Sequence, residues 1–228
     1  MSLLKRIADG ILNIGTRVLG KREASVKPEH VSIGITTFEA RFDSYFVPLL
    51  KRIRECTDCE IVVAINGEHD HPFSQDYRRK ILRCIADFDN VYPIVFPQFR
   101  GLSKLWNSIV IHASHDHILM LNDDIMIESL DFMKLVTDLI NRNEGKSFLI
   151  NRSWSHYLIS REELDTLGYF DERLLGDRGR RRRYDLAIHQ TIRPSNAEFQ
   201  DQGLPELRGR NRPKLQAGQC PDPLWHKV

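Results

Sequence analysis

The sequence lacks the features of several protein classes. No apolar run is long enough to cross a bilayer as a helix, and the amino terminus lacks the compact apolar segment and small-residue cleavage site of a signal peptide. It has four cysteines, and Cys56 and Cys59 have no matching second pair that would complete a zinc site. We interpret these two as thiols near a helix-to-strand junction and expect a cytoplasmic protein.

The net charge is small, but charge is unevenly distributed along the chain. The net charge is +2, yet residues 177–228 carry +5 and residues 1–176 carry −3. At 228 residues the chain is long enough for one well-buried domain with an appendage. We divide it into an amino-terminal helix and linker at 1–30, a globular domain at 31–176, and an irregular basic tail at 177–228.

The first twenty residues form a weak basic amphipathic pattern. One helical stripe carries the apolar side chains, and it comprises Leu4, Ile7, Ile11, Ile14 and Val18. Such a helix could lie on an anionic membrane surface at the inner face of the cell membrane, or it could pack on its own domain or on a partner.

Short β-rich apolar runs alternate with helical segments from residue 31 onward. The strands are VSIGITTF, CEIVVAING, NVYPIVF and DHILMLNDDI, and the helices between them are FDSYFVPLLKRIREC, SQDYRRKILRCIADF and LSKLWNSIVIHAS. This alternation predicts an α/β fold, with a mostly parallel sheet and helices on both faces. Ligands bind such sheets beyond the carboxyl ends of the strands, which here carry Thr36, Thr37, Asn66, Asp70, Asn122, Asp123 and Asp124.

The two adjacent acids, Asp123 and Asp124, are the strongest chemical signal in this set. They follow the buried run HILML, where carboxylate oxygens suit Mg²⁺ or Mn²⁺ holding a diphosphate. The alternative is that they cap the helix that follows, because aspartate is common before helices. Spacing alone does not choose between these interpretations.

Four blocks in order resemble a family 2 glycosyltransferase with the GT-A fold. They are VSIGITTFEAR, EIVVAINGEHD, RGLSKLWNSIVIHASHDHILMLNDDI and LISREELDTLGYFDERLL, which together span residues 31 to 176. The resemblance implies transfer of a sugar from a UDP- or GDP-type donor to a saccharide or lipid-linked acceptor, with inversion and with Mn²⁺ or Mg²⁺ as cofactor. We expect no nucleic-acid partner, because the sequence has no known nucleic-acid-binding motif.

The resemblance also implies roles for individual positions. Asp124 and Asp123 match the acidic motif that binds the metal, with Asn122 in place of its first acid. The residues implied for donor binding are Thr36, Thr37, Glu39, Asn66, Asp70, Asn107, Asn122 and Asp123. Those implied on the acceptor side are Arg161, Phe170 and Asp171.

The catalytic base is the least well matched position. In the resembling family an acidic pair follows the FDE block, and here the candidates are Asp177 and Asp185, separated by the arginines 180–183. Guanidinium groups lower the pKa of a neighbouring carboxyl and make it a poor base. Two further functions therefore stay open: a catalytically inactive nucleotide-binding protein, and a nucleotidyltransferase.

The arginine run can be explained by the reading frame of its codons. Synonymous codons for Glu-Glu-Asp can read as arginine codons when shifted by one position, so we interpret the tail as a frameshifted stretch whose other frame permits an acidic pair. Two alternatives are a patch for nucleic acid or anionic lipid and a solvated charged loop. No interleaved aromatic residues support a nucleic-acid site.

Overall fold

The computed structural model describes residues 25–68, 73–172, 201–203 and 207–209. The predicted amino-terminal helix within residues 1–20 lies outside these ranges, and so does most of the tail from residue 177. Among the described residues, no helix is both long enough and apolar enough to cross a membrane.

The described part contains nine strands and six α-helices. The strands are β1 (Val31–Phe38), β2 (Ile61–Asn66), β3 (Val91–Val95), β4 (His117–Asn122), β5 (Ile125–Ile127), β6 (Phe148–Ile150), β7 (Ser153–Ser160), β8 (Asp201–Gln202) and β9 (Leu207–Gly209). The helices are α1 (Glu39–Arg41), α2 (Val47–Cys56), α3 (Gln75–Ala86), α4 (Leu102–His112), α5 (Phe132–Arg142) and α6 (Arg161–Leu167). A π-helical turn, Phe42–Phe46, joins α1 to α2, and a short 3₁₀ turn, Pro28–His30, precedes β1.

Seven strands form one sheet in the order β3-β2-β1-β4-β7-β6-β8. The pairs among β1, β2, β3 and β4 are parallel, whereas β7 runs antiparallel to β4 and β6. The chain moves outward from β1 to β3 and then returns to place β4 on the other side of β1. The strand order therefore reverses between β1 and β4, where ligand sites form in open α/β sheets.

Apolar side chains bury both faces of the sheet. Odd-numbered residues of β1 and β4 pack with α2, α3 and α5, and even-numbered residues of β4 pack with α4 and α6. This alternation follows from the period of two in a strand, and it gives three layers with the sheet in the middle. The predicted α/β fold with helices on both faces is confirmed.

The tail contributes two short strands to this architecture. β8 pairs with β6 in parallel, and β9 pairs with β5 in the antiparallel sense. The sequence predicts an irregular tail after residue 177, and these two strands are a difference from that prediction. Both segments are too short for periodicity to reveal, since a pattern of alternation needs at least four residues.

A carboxylate ties together the amino-terminal ends of the central strands. Glu60, just before β2, accepts hydrogen bonds from the Ser32 hydroxyl and from the Ser114 backbone N–H and hydroxyl, the last two at 2.8 and 2.6 Å. Burial tends to raise the pKa of Glu60, but the hydrogen bonds from Ser114 and Ser32 outweigh it, and the pKa lies below its ordinary value.

Candidate active site

The two acids predicted from sequence lie where the strand order reverses. Asp123 and Asp124 directly follow β4, and Thr37 near the end of neighbouring β1 donates a 2.9 Å hydrogen bond to Asp123. The Asp123 residue is only 3% exposed. Because β1 and β4 are parallel neighbours, their carboxyl ends meet at one edge and bring these groups together.

Arg41 also belongs to this site, although no sequence motif points to it. Its Nη2 atom lies 2.6 Å from Asp123 Oδ1 and 3.0 Å from Asp124 Oδ2. Burial alone would lower the pKa of Arg41, but the two carboxylates outweigh that effect and hold the pKa above its ordinary value. Burial raises the pKa of Asp123 to about 6, against the opposing effects of Arg41 and Thr37.

Aromatic rings hold the Arg41 guanidinium in place. Its central carbon lies 4.6 Å from the centre of the Tyr45 ring and 5.9 Å from that of Phe38. These distances are within the range of cation–π contacts. Tyr45 belongs to the π-helical turn that follows Arg41, and such turns occur frequently at functional sites.

The acid pair can accommodate a divalent cation if a bound diphosphate supplies further oxygen ligands. Both oxygens of Asp123 are already bonded, one to Arg41 and the other to Thr37. No group of three or more carboxylate, imidazole or thiolate side chains that could hold a metal ion occurs within the described ranges. The Asp124 side chain is 13% exposed against 4% for Asp123, so Asp124 is the more accessible ligand. These residues fit a cation that a bound diphosphate helps to coordinate, as is common for Mg²⁺.

A buried histidine lies close to the acid pair. His156 on β7 stands opposite Leu121 of β4 and is 4% exposed, and neither ring nitrogen has a hydrogen-bond partner among the described residues. Burial lowers the pKa of His156 to about 4, although the nearby Asp124 charge acts in the opposite direction. The ring is therefore neutral near pH 7, and one nitrogen is a free acceptor.

Asn66, predicted to bind the donor, uses its side chain for hydrogen bonds to the backbone of Arg100. Its amide donates to the Arg100 carbonyl and accepts from the Arg100 N–H, both at 2.9 Å. The next residue, Gly67, has no room for a side chain, since a Cβ there would lie 2.7 Å from the Pro97 carbonyl oxygen. Asn66 thus fixes the segment after β3 across the end of β2.

Asn107, on α4, makes a similar two-way contact with backbone groups. Its side chain accepts from the Phe170 N–H at 3.0 Å and donates to the Phe170 carbonyl at 2.9 Å. Phe170 is buried against Trp106, with ring centres 5.1 Å apart. Asn107 therefore ties α4 to the segment that contains Phe170 and the partly exposed Asp171.

Arg161, predicted on the acceptor side, lies far from the acids along β4. Its guanidinium donates to the carbonyls of Ala113 and His115, which precede β4, whereas Asp123 follows that strand. The antiparallel pairing of His117 with Ser160 places Arg161 at this amino-terminal edge. The structure therefore does not bring Arg161 together with Asp123 and Asp124.

The remaining predicted residues divide into those at the site edge and those outside the described ranges. Thr36 pairs in register with Asn122, and both are partly exposed, while Glu39 is exposed just after β1. Asp70, Asp177 and Asp185 lie outside the described residues.

The comparisons with known proteins concern the fold. No protein-family model and no curated protein matches the sequence. The fragment 1–349 of TarS from S. aureus has a TM-score of 0.50 and 16% identity, and the match covers 64% of this chain and 51% of that one. The mannosyltransferase PcManGT from Pyrobaculum calidifontis, in complex with GDP-Man and Mn²⁺, has a TM-score of 0.51 and 15% identity over 70% of this chain and 54% of its own.

A third similar structure covers more of both chains. Glucosyl-3-phosphoglycerate synthase from Mycobacterium tuberculosis, in complex with Mn²⁺, UDP and glucosyl-3-phosphoglycerate, has a TM-score of 0.50 and 14% identity over 81% of this chain and 73% of that one. The present chain spans about half the length of the TarS fragment and of the mannosyltransferase. The fold is that of GT-A glycosyltransferases, as the sequence blocks predicted.

Proposed function

We propose that the protein transfers a sugar from a nucleoside diphosphate donor of the UDP or GDP type to a saccharide or lipid-linked acceptor, with inversion. The observation that carries this proposal is the position of Asp123 and Asp124, next to Thr37 at the reversal of strand order. Open α/β sheets bind nucleotides at such a reversal. The similar structures with bound UDP or GDP-Man are consistent with this class of donor.

The described side chains would have different roles in donor binding. Asp124 would hold Mn²⁺ or Mg²⁺ together with the donor, and this cation would stabilise the charge on the departing nucleoside diphosphate. Asp123 would keep Thr37 and Arg41 in position, because it bonds both. Thr36, Glu39 and Asn122 would line the entrance to the donor site from the ends of β1 and β4.

The acceptor hydroxyl needs a base, and we assign that role to Asp177 or Asp185. Asp123 has a raised pKa of about 6, which is closer to the value of a general base that works near neutral pH. It is buried and bonded to Thr37 and Arg41, so it cannot reach an acceptor. This observation also favours a second candidate function: a nucleotide-binding protein without turnover.

Turnover and binding assays distinguish these functions. We expect UDP or GDP to bind with Mn²⁺, and the corresponding nucleotide sugars to be hydrolysed or transferred. Asp124→Asn should remove both nucleotide binding and turnover of the nucleotide sugar, while the far-UV circular dichroism is unchanged. Asp116→Asn, whose wild-type side chain is 82% exposed, is the control. Binding without turnover would support the second candidate, and pyrophosphate release from a nucleoside triphosphate would indicate a nucleotidyltransferase.

The cellular setting is a separate part of the proposal. We place the enzyme in the cytoplasm at the inner face of the cell membrane, in the synthesis of an envelope polysaccharide. The amphipathic pattern of residues 1–20 supports this placement. Co-sedimentation with anionic vesicles, and its loss after Lys5→Glu and Arg6→Glu, would test the membrane contact.

A further inference from the structure

Arg41 occupies the position between the two acids that a divalent cation would use. One atom, Nη2, contacts both carboxylates, at 2.6 and 3.0 Å. The three side chains are 8%, 4% and 13% exposed for Arg41, Asp123 and Asp124 respectively. Because water reaches them poorly, it screens their mutual interactions only weakly.

The charge balance of this trio disfavours a free cation. With both carboxylates ionised, the three side chains together carry a single net negative charge. A divalent cation that binds Asp124 while Arg41 remains would lie beside a fixed positive charge, which repels it. A cation that displaces Arg41 would remove the guanidinium from both of its carboxylate partners, which costs interaction energy.

A diphosphate changes this balance. It adds negative charge and oxygen ligands, and Mg²⁺-like cations are commonly bound by one or two carboxylates together with substrate phosphates. Arginine also pairs well with phosphate oxygens. The Arg41 Nε atom is buried and has no hydrogen-bond partner among the described residues, so the observed position leaves one donor unused.

We propose that Arg41 is an internal counter-ion that competes with divalent cations for the Asp123–Asp124 pair, and so makes cation binding depend on the donor diphosphate. This inference rests on the proposed function only in assigning a diphosphate to the donor. Arg41 acts here as a positioning residue, because it controls when Asp124 becomes available to a cation.

Electron paramagnetic resonance of Mn²⁺ with the full chain tests the competition. Without nucleotide, the wild type should leave Mn²⁺ free, and Arg41→Met should bind it about tenfold or more tightly. Arg41→Lys keeps the positive charge and should behave like the wild type. Arg79→Met is the surface control, since Arg79 is 69% exposed and pairs only with Asp76 in the described ranges.

A second variant shows where Mn²⁺ binds in the Arg41→Met protein. Asp124→Asn introduced into Arg41→Met should abolish the new binding. Because Arg41→Met exposes two buried carboxylates to mutual repulsion, it could fail to fold, and the wild type then provides the test by itself. Its melting temperature should rise with Mn²⁺ plus UDP or GDP, and should stay constant with Mn²⁺ alone.

The outcomes separate this inference from the proposed function. Tight Mn²⁺ binding by the wild type without nucleotide, dependent on Asp124, would overturn the competition. So would an Arg41→Met variant that folds and gains no Mn²⁺ affinity, even if UDP or GDP binds normally. If neither nucleotide binds but Arg41→Met gains Mn²⁺, the competition is supported and the donor assignment fails.

Discussion

The Thr37 hydroxyl donates a hydrogen bond to the Asp123 carboxylate, and this contact joins the ends of β1 and β4 across 86 positions of sequence. Asp123 is buried, so each hydrogen bond it accepts offsets part of the cost of holding a charge away from water. The site is therefore part of the stability of the central sheet as well as a place for chemistry.

Thr37→Val should lower the free energy of unfolding by about 1.5–3 kcal/mol, because it removes a hydrogen bond to a buried charged group while keeping the side-chain shape. Urea denaturation at neutral pH measures the change. Thr36→Val is the matched control, since it leaves the bond to Asp123 intact. A Thr37→Val protein as stable as the control would show that Arg41 alone satisfies Asp123.

His156→Leu should raise the free energy of unfolding near pH 7 by about 1–2 kcal/mol. It replaces a buried ring that has no hydrogen-bond partner among the described residues with an apolar side chain of similar size. Chemical denaturation of both proteins measures the difference. A loss of stability would mean that the imidazole has a partner in the folded protein.

The same substitution should change how stability depends on pH. Burial lowers the pKa of His156 from 6.5 to about 4, so between these values the unfolded chain binds a proton that the folded chain does not. This penalty is absent above pH 6.5 and grows as the pH falls to about 4. His156→Leu should therefore lose less stability than the wild type over this range.

Denaturation curves at several pH values measure how the free energy of unfolding depends on pH. His30→Leu is the control at an exposed position. Asp123, whose pKa is about 6, contributes in the opposite sense, because its protonation favours the folded state as the pH falls. Comparing variant with wild type isolates the histidine. Parallel curves for His156→Leu and wild type would contradict the assigned burial of the ring.

Glu60→Gln should lower the free energy of unfolding at pH 7 by about 2 kcal/mol, because the amide cannot accept all the hydrogen bonds from Ser32 and Ser114. The folded-state pKa of Glu60 lies below the ordinary value of 4.5, so the stabilisation is present above that pH and disappears as the pH falls further. The variant and the wild type should converge in acid. Glu144→Gln, whose wild-type side chain is 81% exposed, should change nothing.

Asn66→Asp should lower stability by about 1–3 kcal/mol and also weaken binding of UDP or GDP. The carboxylate cannot donate to the Arg100 carbonyl, so the segment after β3 is released at the edge that we assign to the donor. Thermal denaturation and nucleotide titration measure the two effects.

A matched control exists for this substitution on the opposite side of the domain. Asn141 makes the same kind of two-way amide contact with the Val26 backbone, at 2.8 and 3.0 Å. Asn141→Asp should reduce stability and leave nucleotide binding unchanged. Equal nucleotide affinity in both variants would show that the Arg100 segment does not border the donor site.

The sequence by itself determined the secondary structure of the first half and the place of the acids. The period of two in β1 and the helical period in α3 arise from neighbouring residues, so they are readable without the fold. The strand bounds of β1 agree with the quoted run in full, and Asp123 and Asp124 follow β4 as expected. Periodicity also explains why helices cover both faces.

Only the tertiary structure decided which partners these side chains have. Arg41 meets Asp123 because β1 and β4 are neighbours in the sheet although β2 and β3 lie between them in sequence. His156 lies near Asp124, and Arg161 lies at the opposite edge of the sheet, because β7 runs antiparallel beside β4. Strand order and direction depend on how whole layers pack, and no local pattern contains that information.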